Sequence, residues 1–92
     1  MAYRVEVRPK AAAQLSELAE QVQRKVVAVL IELGQNPYSG RTTALEGGLK
    51  GYRRARIGDH RIICYLEDET LQVAAVGSRA TIYNQMLRTT ED

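Results

Sequence analysis

Apolar and charged residues alternate at the start of the chain. Tyr3, Val5 and Val7 are apolar, and each is followed by a charged residue. A period of two is typical of a strand with one buried face, so we predict a strand over residues 3–8. Pro9 ends this strand because proline has no backbone N–H to donate to a sheet.

From residue 10 to residue 33 the apolar positions recur every three or four residues, which is the spacing of one helical face. This pattern fits either one long helix or two antiparallel helices. The polar stretch at residues 20–25 contains a single apolar residue, so we favour two helices with a break there. Gly34 and the Asn36-Pro37 pair are predicted to end the second helix, since glycine favours the position after a helix and the residue before proline avoids helical angles.

A glycine-rich stretch separates the helices from the rest of the chain. Residues 38–51 contain four glycines and no clear period, so we predict a loop held to the core by Leu45 and Leu49. Two predicted strands then flank Gly58 and Asp59, a pair suited to a two-residue hairpin turn in which glycine supplies the positive φ. Such a turn fixes which residues face each other across the hairpin.

The predicted register places two arginines, Arg56 and Arg61, directly opposite each other. A second two-residue turn at residues 68–69 continues the register and pairs Ile62 with Ala75. Both hairpins place one set of apolar residues on a single face, which the helices must cover. This set is Ala55, Ile57, Ile62, Cys64, Leu66, Leu71, Val73 and Ala75. The other face collects Tyr52, Arg54, Arg56, Arg61 and Tyr65.

The element order is therefore βααβββ followed by a short C-terminal tail. We expect an α+β fold, an antiparallel β-meander sheet with an N-terminal αα-hairpin packed on one face. The composition is 45% hydrophobic and 26% charged, which is typical of a globular protein. A chain of 92 residues suits one domain, residues 1–92, because chains divide into several domains only beyond about 250 residues.

The sequence also argues against several classes of protein and site. The longest uninterrupted apolar run, residues 26–31, is far shorter than the roughly 18 residues that span a bilayer. The first residues lack the pattern of a secretory signal, so we expect a cytoplasmic location. Cys64 and His60 are the only cysteine and the only histidine, so we expect no disulfide, no metal site and no cofactor. The register favours a structural His60 and a buried, unreactive Cys64.

The net charge of +2 conceals a local excess of bases. Residues 50–61 hold five bases and one acid, which leaves eight bases and ten acids in the rest of the chain. These arginines could form a solvated face, with their stems lying on tyrosines. Alternatively they could bind a polyanion, because guanidinium donates bidentately to phosphate and remains charged. Interleaved tyrosines would offer stacking surfaces for single-stranded RNA.

Two further residues follow the last predicted strand. Arg79 and Tyr83 are four residues apart, so they would lie on the same side of any helix formed there. Arg79 could also be an ordinary surface base, and Tyr83 could be an aromatic residue that closes the core.

Two segments carry a resemblance to a known family. Residues 45–65 read LEGGLKGYRRARIGDHRIICY and residues 76–83 read VGSRATIY. The basic strand, the Gly-Asp-His-Arg turn and the Val-Gly-Ser-Arg ending with its following tyrosine together resemble the RelE/ParE toxin superfamily. The order of elements matches over essentially the whole chain. The resemblance implies a toxin of a type II toxin-antitoxin system and a small antitoxin that wraps the toxin and covers or displaces residues 79–87.

The two branches of this superfamily differ in activity. RelE-branch toxins are ribosome-dependent endoribonucleases that cleave mRNA in the A site and inhibit translation, whereas ParE-branch toxins poison DNA gyrase. The resemblance favours the RelE-like mRNA interferase branch, with the ribosome and mRNA as partners and no metal in the chemistry. The alternatives are a ParE-type non-nuclease toxin and a degenerate member that only binds RNA or antitoxin.

The RelE branch also implies roles for individual residues. By similarity, Arg61 and Arg79 fall on phosphate-binding arginines, Tyr83 falls on a catalytic tyrosine, and Arg54 falls on a basic position of the site. The predicted catalytic residues are thus Arg54, Arg61, Arg79 and Tyr83. The residues predicted to bind RNA are Lys50, Tyr52, Arg53, Arg56 and Tyr65.

Overall fold

The computed structural model describes residues 2–79 and residue 82. The elements are β1 (Arg4–Val7), α1 (Pro9–Ser16), α2 (Glu20–Gln35), β2 (Thr42–Ala44), β3 (Arg53–Ile57), β4 (His60–Glu67) and β5 (Thr70–Ser78), with a short 3-10 helix at Gly47–Leu49. The strands form one sheet in the order β1-β5-β4-β3-β2. Both helices pack on one face of this sheet, which confirms the predicted α+β fold.

The sheet is mixed rather than purely antiparallel. β1 pairs in parallel with β5, with Val5 opposite Leu71 and Val7 opposite Val73. β1 ends at Val7. Further along β5, the N–H of Val76 donates to the side-chain oxygen of Gln14 in α1 at 2.9 Å. The predicted antiparallel meander is therefore correct for β3, β4 and β5, whereas β1 adds to it in parallel. Alternation along a strand reveals its two faces but not its neighbour, so the pattern could not show this pairing.

The two predicted helices are present, but the break between them is earlier than predicted. α1 ends at Ser16, whose hydroxyl donates to the carbonyl of Ala13 at 2.7 Å. The polar stretch at residues 20–25 forms the first turns of α2. Within it, the Gln23 amide donates to the carbonyls of Ser16 at 3.3 Å and Leu18 at 2.9 Å. Gln23 belongs to the stretch that was predicted to break the helix. Its side chain instead donates hydrogen bonds to carbonyls at the observed break.

Gly34 lies inside α2 and not after its end, contrary to the prediction. A Cβ at this position would lie 2.9 Å from Cγ2 of Val5 and 3.4 Å from the carbonyl oxygen of Tyr3. The Tyr3 N–H donates to the Gly34 carbonyl at 2.6 Å. Glycine therefore permits the close approach of α2 and β1. The helix ends at Gln35, immediately before the Asn36-Pro37 pair, as expected.

The predicted loop at residues 38–51 contains regular structure. Its short strand β2 pairs antiparallel with β3, with Thr43 opposite Arg54. The stretch also contains the 3-10 helix. The expected anchors are confirmed, since Leu49 is buried and Leu45 is half-buried against the sheet.

The register of the first hairpin is confirmed from residue 53 to residue 64, and Gly58 has the expected positive φ of 59°. The second hairpin contains a β-bulge. Cys64 is opposite Val73, but Ile63 is opposite Ala75, so Ala74 is an extra residue on β5. The predicted pairing of Ile62 with Ala75 is therefore wrong, and Ala75 belongs to the other face.

The sheet has two contrasting faces. The helix-covered face carries the main core, which includes Ala55, Ile62, Cys64, Leu71, Val73 and Val76 beneath Ala11, Val26, Val29, Leu30 and Leu33 of the helices. The opposite face, here called the arginine face, carries Arg54, Arg56 and Arg61 around a small apolar cluster. This cluster consists of Leu49, Ile63, Ala75 and Ile82.

Candidate functional site

Strand alternation and the hairpin register concentrate positive charge on the arginine face. Arg54 and Arg56 are two residues apart on β3, which corresponds to about 7 Å along the strand. Arg56 is directly opposite Arg61 of β4, as the sequence predicted. Like charges in such a pair repel, so the arrangement lowers stability unless an anion binds there.

Arg61 is held within the fold. Its side chain is only 5% exposed, and Nη1 donates to the carbonyls of Gly58 at 3.0 Å and His60 at 3.1 Å. These two carbonyls flank the hairpin turn and fix the position of the guanidinium. Its neighbour on β5 is Gly77, over which Ile82 packs.

Two buried donors on the arginine face lack a hydrogen-bond acceptor among the described residues. They are the Nε atoms of Arg54 and Arg61. Buried polar groups in proteins are almost always hydrogen-bonded, so two guanidinium donors without an acceptor on one face are unusual. A phosphate oxygen is a suitable acceptor, because its negative charge strengthens the hydrogen bond.

Arg79 lies beside the first hairpin turn. Its backbone N–H donates to the carbonyl of Asp59 at 2.8 Å, and its side chain is exposed. This contact brings the end of β5 to the turn that also holds Arg61. Tyr83 lies outside the described residues, so its position beside Arg79 stays a prediction, as does the antitoxin contact expected over residues 79–87.

A groove of about 830 Å³ borders the arginine face at the β2 edge of the sheet. It is lined by Glu32, Ser39, Gly40, Arg41, Thr43, Arg54 and Arg56. Nε of Arg41 donates to Oε2 of Glu32 at 2.7 Å. This hydrogen bond lowers the pKa of Glu32 and raises that of Arg41 from their ordinary values.

The sequence did not single out Arg41, because residues 38–51 were predicted to be a loop. The adjacent residues Thr42 and Thr43 were the available signal, since β-branched residues favour strands. A strand there would have placed Arg41 beside Arg56.

A tyrosine pair lies at the far end of the arginine face. The rings of Tyr52 and Tyr65 meet edge to face, with centroids 5.3 Å apart and planes at 73°. Tyr52 precedes Arg56 by four residues, which places the tyrosines about 13 Å along the strand from the Arg56–Arg61 pair. The small apolar cluster lies between the two groups. The face therefore offers cationic and aromatic surfaces at separate positions.

Comparison with known proteins identifies the family. The sequence model of a family described as "ParE toxin of type II toxin-antitoxin system, parDE" matches residues 5–83. The chain belongs to this family of type II toxins. The toxin has no match among curated proteins.

Several solved structures have the same fold as this toxin. The RelBE2 toxin-antitoxin complex from Mycobacterium tuberculosis contains a chain with a TM-score of 0.79 and 24% identity, over 86% of this chain and 100% of that one. A chain of the RelE-RelB complex from Pyrococcus horikoshii OT3 has a TM-score of 0.74 and 25% identity, over 88% and 99%. The free E. coli toxin RelE, a mutant form, has a TM-score of 0.78 and 18% identity, over 97% of each chain.

Two residues of the toxin that were predicted to bind RNA, Arg53 and Lys50, do not belong to the arginine group formed by Arg54, Arg56 and Arg61. Arg53 projects to the helix-covered side, where its Cζ is 5.1 Å from the ring centroid of Tyr38 and its Nε donates to the Thr42 hydroxyl at 3.1 Å. Lys50 is exposed in the loop after the 3-10 helix. The structure thus groups Arg54, Arg56 and Arg61 and groups Tyr52 with Tyr65, whereas Arg53 faces the other side of the sheet beside Tyr38 and Lys50 lies in a loop.

The structure places His60 beside the first hairpin turn and Cys64 in the main core. His60 is half-buried at the start of β4, between Ile57 and Ser78. Cys64 is 1% exposed, and burial raises the pKa of its thiol to about 11. A thiol with such a pKa is protonated at neutral pH, which makes it a poor nucleophile.

No helix in the described part of the toxin is both long enough and apolar enough to cross a membrane.

Proposed function

We propose that this toxin is a ribosome-dependent, metal-independent endoribonuclease that cleaves mRNA in the A site and inhibits translation. The observation that carries the proposal is the pair of buried Nε donors of Arg54 and Arg61, which share one face and have no acceptor among residues 2–79 and 82. RNA supplies acceptors for both donors, a phosphate oxygen for Arg61 and the ribose 2′-oxygen for Arg54, and the phosphate also relieves the repulsion between Arg56 and Arg61.

Cleavage without a metal places three demands on the site. The ribose 2′-OH attacks the adjacent phosphorus, so the RNA must be held with the attacking and leaving oxygens in line. Charge that develops on the phosphoryl oxygens must be neutralised, and as the P–O5′ bond breaks the 2′-OH must lose its proton while the 5′ leaving oxygen gains one. We assign Arg61 and Arg79 to the phosphate, Arg54 to the nucleophile, and Tyr83 to base stacking or proton transfer.

Arg61 is positioned in advance for its role. Its Nη1 is already occupied by the Gly58 and His60 carbonyls, so the guanidinium needs little reorientation when phosphate arrives. Arg79 complements it, because its exposed side chain extends from a backbone tied to Asp59. Free tyrosine and free arginine both hold their protons well above neutral pH, so neither side chain type is an efficient base near pH 7. Most of the acceleration would therefore come from positioning, in which the ribosome takes part.

The remaining residues would bind RNA on either side of the cleaved bond. Arg56 is exposed beside Arg61 and can contact a neighbouring phosphate. Tyr52 and Tyr65 lie far enough from the arginine pair to meet the base of another nucleotide. Lys50 and Arg53, at the outer end of β3, would attract RNA through longer-range electrostatics.

We also propose an antitoxin partner and a cytoplasmic location. The solved RelBE2 and RelE-RelB structures are toxin-antitoxin complexes, which supports a small antitoxin for this chain. An acidic or amphipathic antitoxin segment would complement the arginine face. A ribosomal substrate requires the toxin to act where translation takes place.

A second candidate function is inhibition of DNA gyrase. The name of the matching family, ParE toxin, favours this alternative. A gyrase inhibitor would use the basic surface to bind protein, and its induction would raise a DNA damage response while mRNA stays intact.

The test incubates purified toxin with programmed ribosomes and with naked RNA, each with and without EDTA. We expect codon-registered cuts on ribosomes only, insensitive to metal removal once ribosome integrity is verified by sedimentation. Alanine at Arg54, Arg61, Arg79 or Tyr83 should reduce the cleavage rate by about 10²- to 10³-fold, the usual effect of losing one transition-state contact. Arg24→Ala is the control, because Arg24 is an exposed arginine on α2.

Thermal unfolding should show that each variant remains folded. Intact mRNA together with gyrase inhibition would replace the proposal with the second candidate. Full cleavage by all four variants would refute the assignment of these residues.

A further inference from the structure

The arginines of the arginine face continue to the edge of the sheet. Thr42, opposite Ala55, is the last paired residue of the β2–β3 ladder, and Arg41 and Arg56 are the residues next to that pair and line one groove. Arg56 is in turn opposite Arg61. Neighbouring strands are about 4.8 Å apart, which sets the spacing of Arg56 and Arg61, and Arg41 extends this pair beyond the end of the β2–β3 ladder. We call Arg41, Arg56 and Arg61 the arginine row.

Among the described residues, one carboxylate forms an ion pair with the arginine row, and it does so at the Arg41 end. Glu32 of α2 accepts the 2.7 Å hydrogen bond from Arg41, whereas Arg56 and Arg61 join no ion pair within residues 2–79. The side chains of Arg41 and Glu32 are 43% and 49% exposed. Exposed ion pairs contribute little stability, so a phosphate can displace Glu32 from Arg41.

The groove has space for a nucleic-acid backbone at this end. Arg41 lines it with Arg54 and Arg56, and Ser39 and Thr43 add hydroxyl groups. A Cβ at Gly40 would contact nothing within 4 Å, so the wall is open there.

We propose that the arginine row is a phosphate track on which single-stranded RNA crosses the strands and leaves over the β2 edge. Arg41 binds a phosphate beyond the cleaved one, and Glu32 competes with that phosphate for Arg41. Glu32 thereby weakens binding of RNA that does not engage the rest of the site. The choice of RNA as ligand rests on the proposed function.

Binding to uncleavable RNA tests the track separately from catalysis. The probe is a fluorescent single-stranded RNA with a 2′-O-methyl group at every position, which removes the nucleophile. Anisotropy would give its affinity for the full-length toxin from about 50 to 200 mM salt, a range in which phosphate contacts change affinity strongly. The variants are Arg41→Gln and Glu32→Gln. Arg24→Gln and Glu20→Gln are matched controls, because they alter a 2.9 Å ion pair elsewhere on α2.

Arg41→Gln should weaken binding by about threefold and lower the slope of log affinity against log salt by about 0.7, the value for one single-strand phosphate contact. Glu32→Gln should tighten binding by a similar factor, because it frees Arg41 while retaining a side chain of the same size. The control variants change net charge equally, so any effect they show measures the non-specific contribution.

Equal effects of Arg41→Gln and Arg24→Gln would overturn the track, as would equal effects of Glu32→Gln and Glu20→Gln. A polyglutamate peptide is the competing probe. If its affinity, and not that of RNA, follows Arg41 and Glu32, the row binds an acidic protein segment and the proposal is wrong. If RNA follows the expected pattern but ribosomes yield no cuts, the track stands and the nuclease assignment fails.

Discussion

The two faces of one sheet differ in how completely their side chains are satisfied. On the helix-covered face, apolar residues pack beneath α1 and α2, and the polar Thr42 donates to the carbonyl of Pro37 at 2.7 Å. The arginine face carries a smaller apolar cluster, two guanidinium donors without an acceptor in the described part of the chain, and two arginines directly opposed. Natural sequences violate folding rules chiefly at functional sites, so this contrast supports the proposal that the arginine face carries the functional site.

Two pairs of consecutive residues allow the two faces to be compared. The members of each pair lie on the same strand but on opposite faces of the sheet. Ile62 and Ile63 are both fully buried on β4, but they belong to the helix-covered and the arginine face respectively. Arg53 and Arg54 are neighbours on β3, where Arg53 points to the helix-covered face and Arg54 to the arginine face.

The largest effect is expected at the isoleucine pair. Ile62→Ala should lower the free energy of unfolding by about 4 kcal/mol and Ile63→Ala by about 2 kcal/mol, within the range known for buried isoleucine. The cavity at Ile62 is enclosed by helices that cannot collapse into it, whereas fewer side chains hold the cluster around Ile63 in place. Urea denaturation measures both values. An equal or larger loss at Ile63 would mean that the arginine face contributes as much stability as the core.

A pH-dependent effect is expected at Cys64, on the helix-covered face. Burial raises its pKa from 9.0 to about 11, so deprotonation favours the unfolded chain. The resulting contribution to stability is complete below pH 9 and is lost as the pH rises towards 11. At pH 10.5 the wild type should have lost about 2 kcal/mol more than Cys64→Ala, relative to pH 8.

Denaturant titrations at a series of pH values measure this difference. Tyrosine and lysine titrations affect both proteins equally and cancel. Parallel stability profiles for the two proteins would show that the thiol reaches solvent in the folded state.

The smallest effect on stability is expected at the arginine pair. Arg53→Met should destabilise the toxin by about 1 kcal/mol, because it removes the contact with Tyr38 and the hydrogen bond to Thr42. Arg54→Met removes an unpaired buried donor, so its stability should stay within about 0.5 kcal/mol of the wild type or increase.

Thermal unfolding and the ribosome cleavage assay should be run together on these two variants. We expect only Arg54→Met to lose activity. A destabilised Arg54→Met would indicate that the fold itself uses this side chain.

Much of the arginine face could be predicted from the sequence because one turn determines it. Gly58 adopts the positive φ of the first hairpin turn, which sets the register of β3 and β4. Because side chains alternate along a strand, this register places Arg54, Arg56 and Arg61 on one face. The predicted meeting of Tyr52 and Tyr65 followed from the same register and is confirmed. Local chemistry was sufficient at this hairpin, whereas the predicted register of the second hairpin was correct only as far as the bulge at Ala74.

The parts that could not be predicted depend on contacts between distant segments. β2 is three residues long, too short for alternation to be visible, so Arg41 went unnoticed. The pairing of β1 with β5 joins residues far apart in the chain. The burial of Arg61 depends on the carbonyls of a turn and not on its own place in the pattern.

The β-bulge at Ala74 has a consequence for comparing the toxin with its relatives. Ala74 has no partner on β4, so deleting it would leave Ile63 opposite Ala75 and Arg61 opposite Gly77. A deletion at Gln72 would instead move Val73 towards the opposite face. We therefore expect insertions and deletions in this strand to accumulate at Ala74, and alignments that place a gap elsewhere in β5 to assign its residues to the wrong faces.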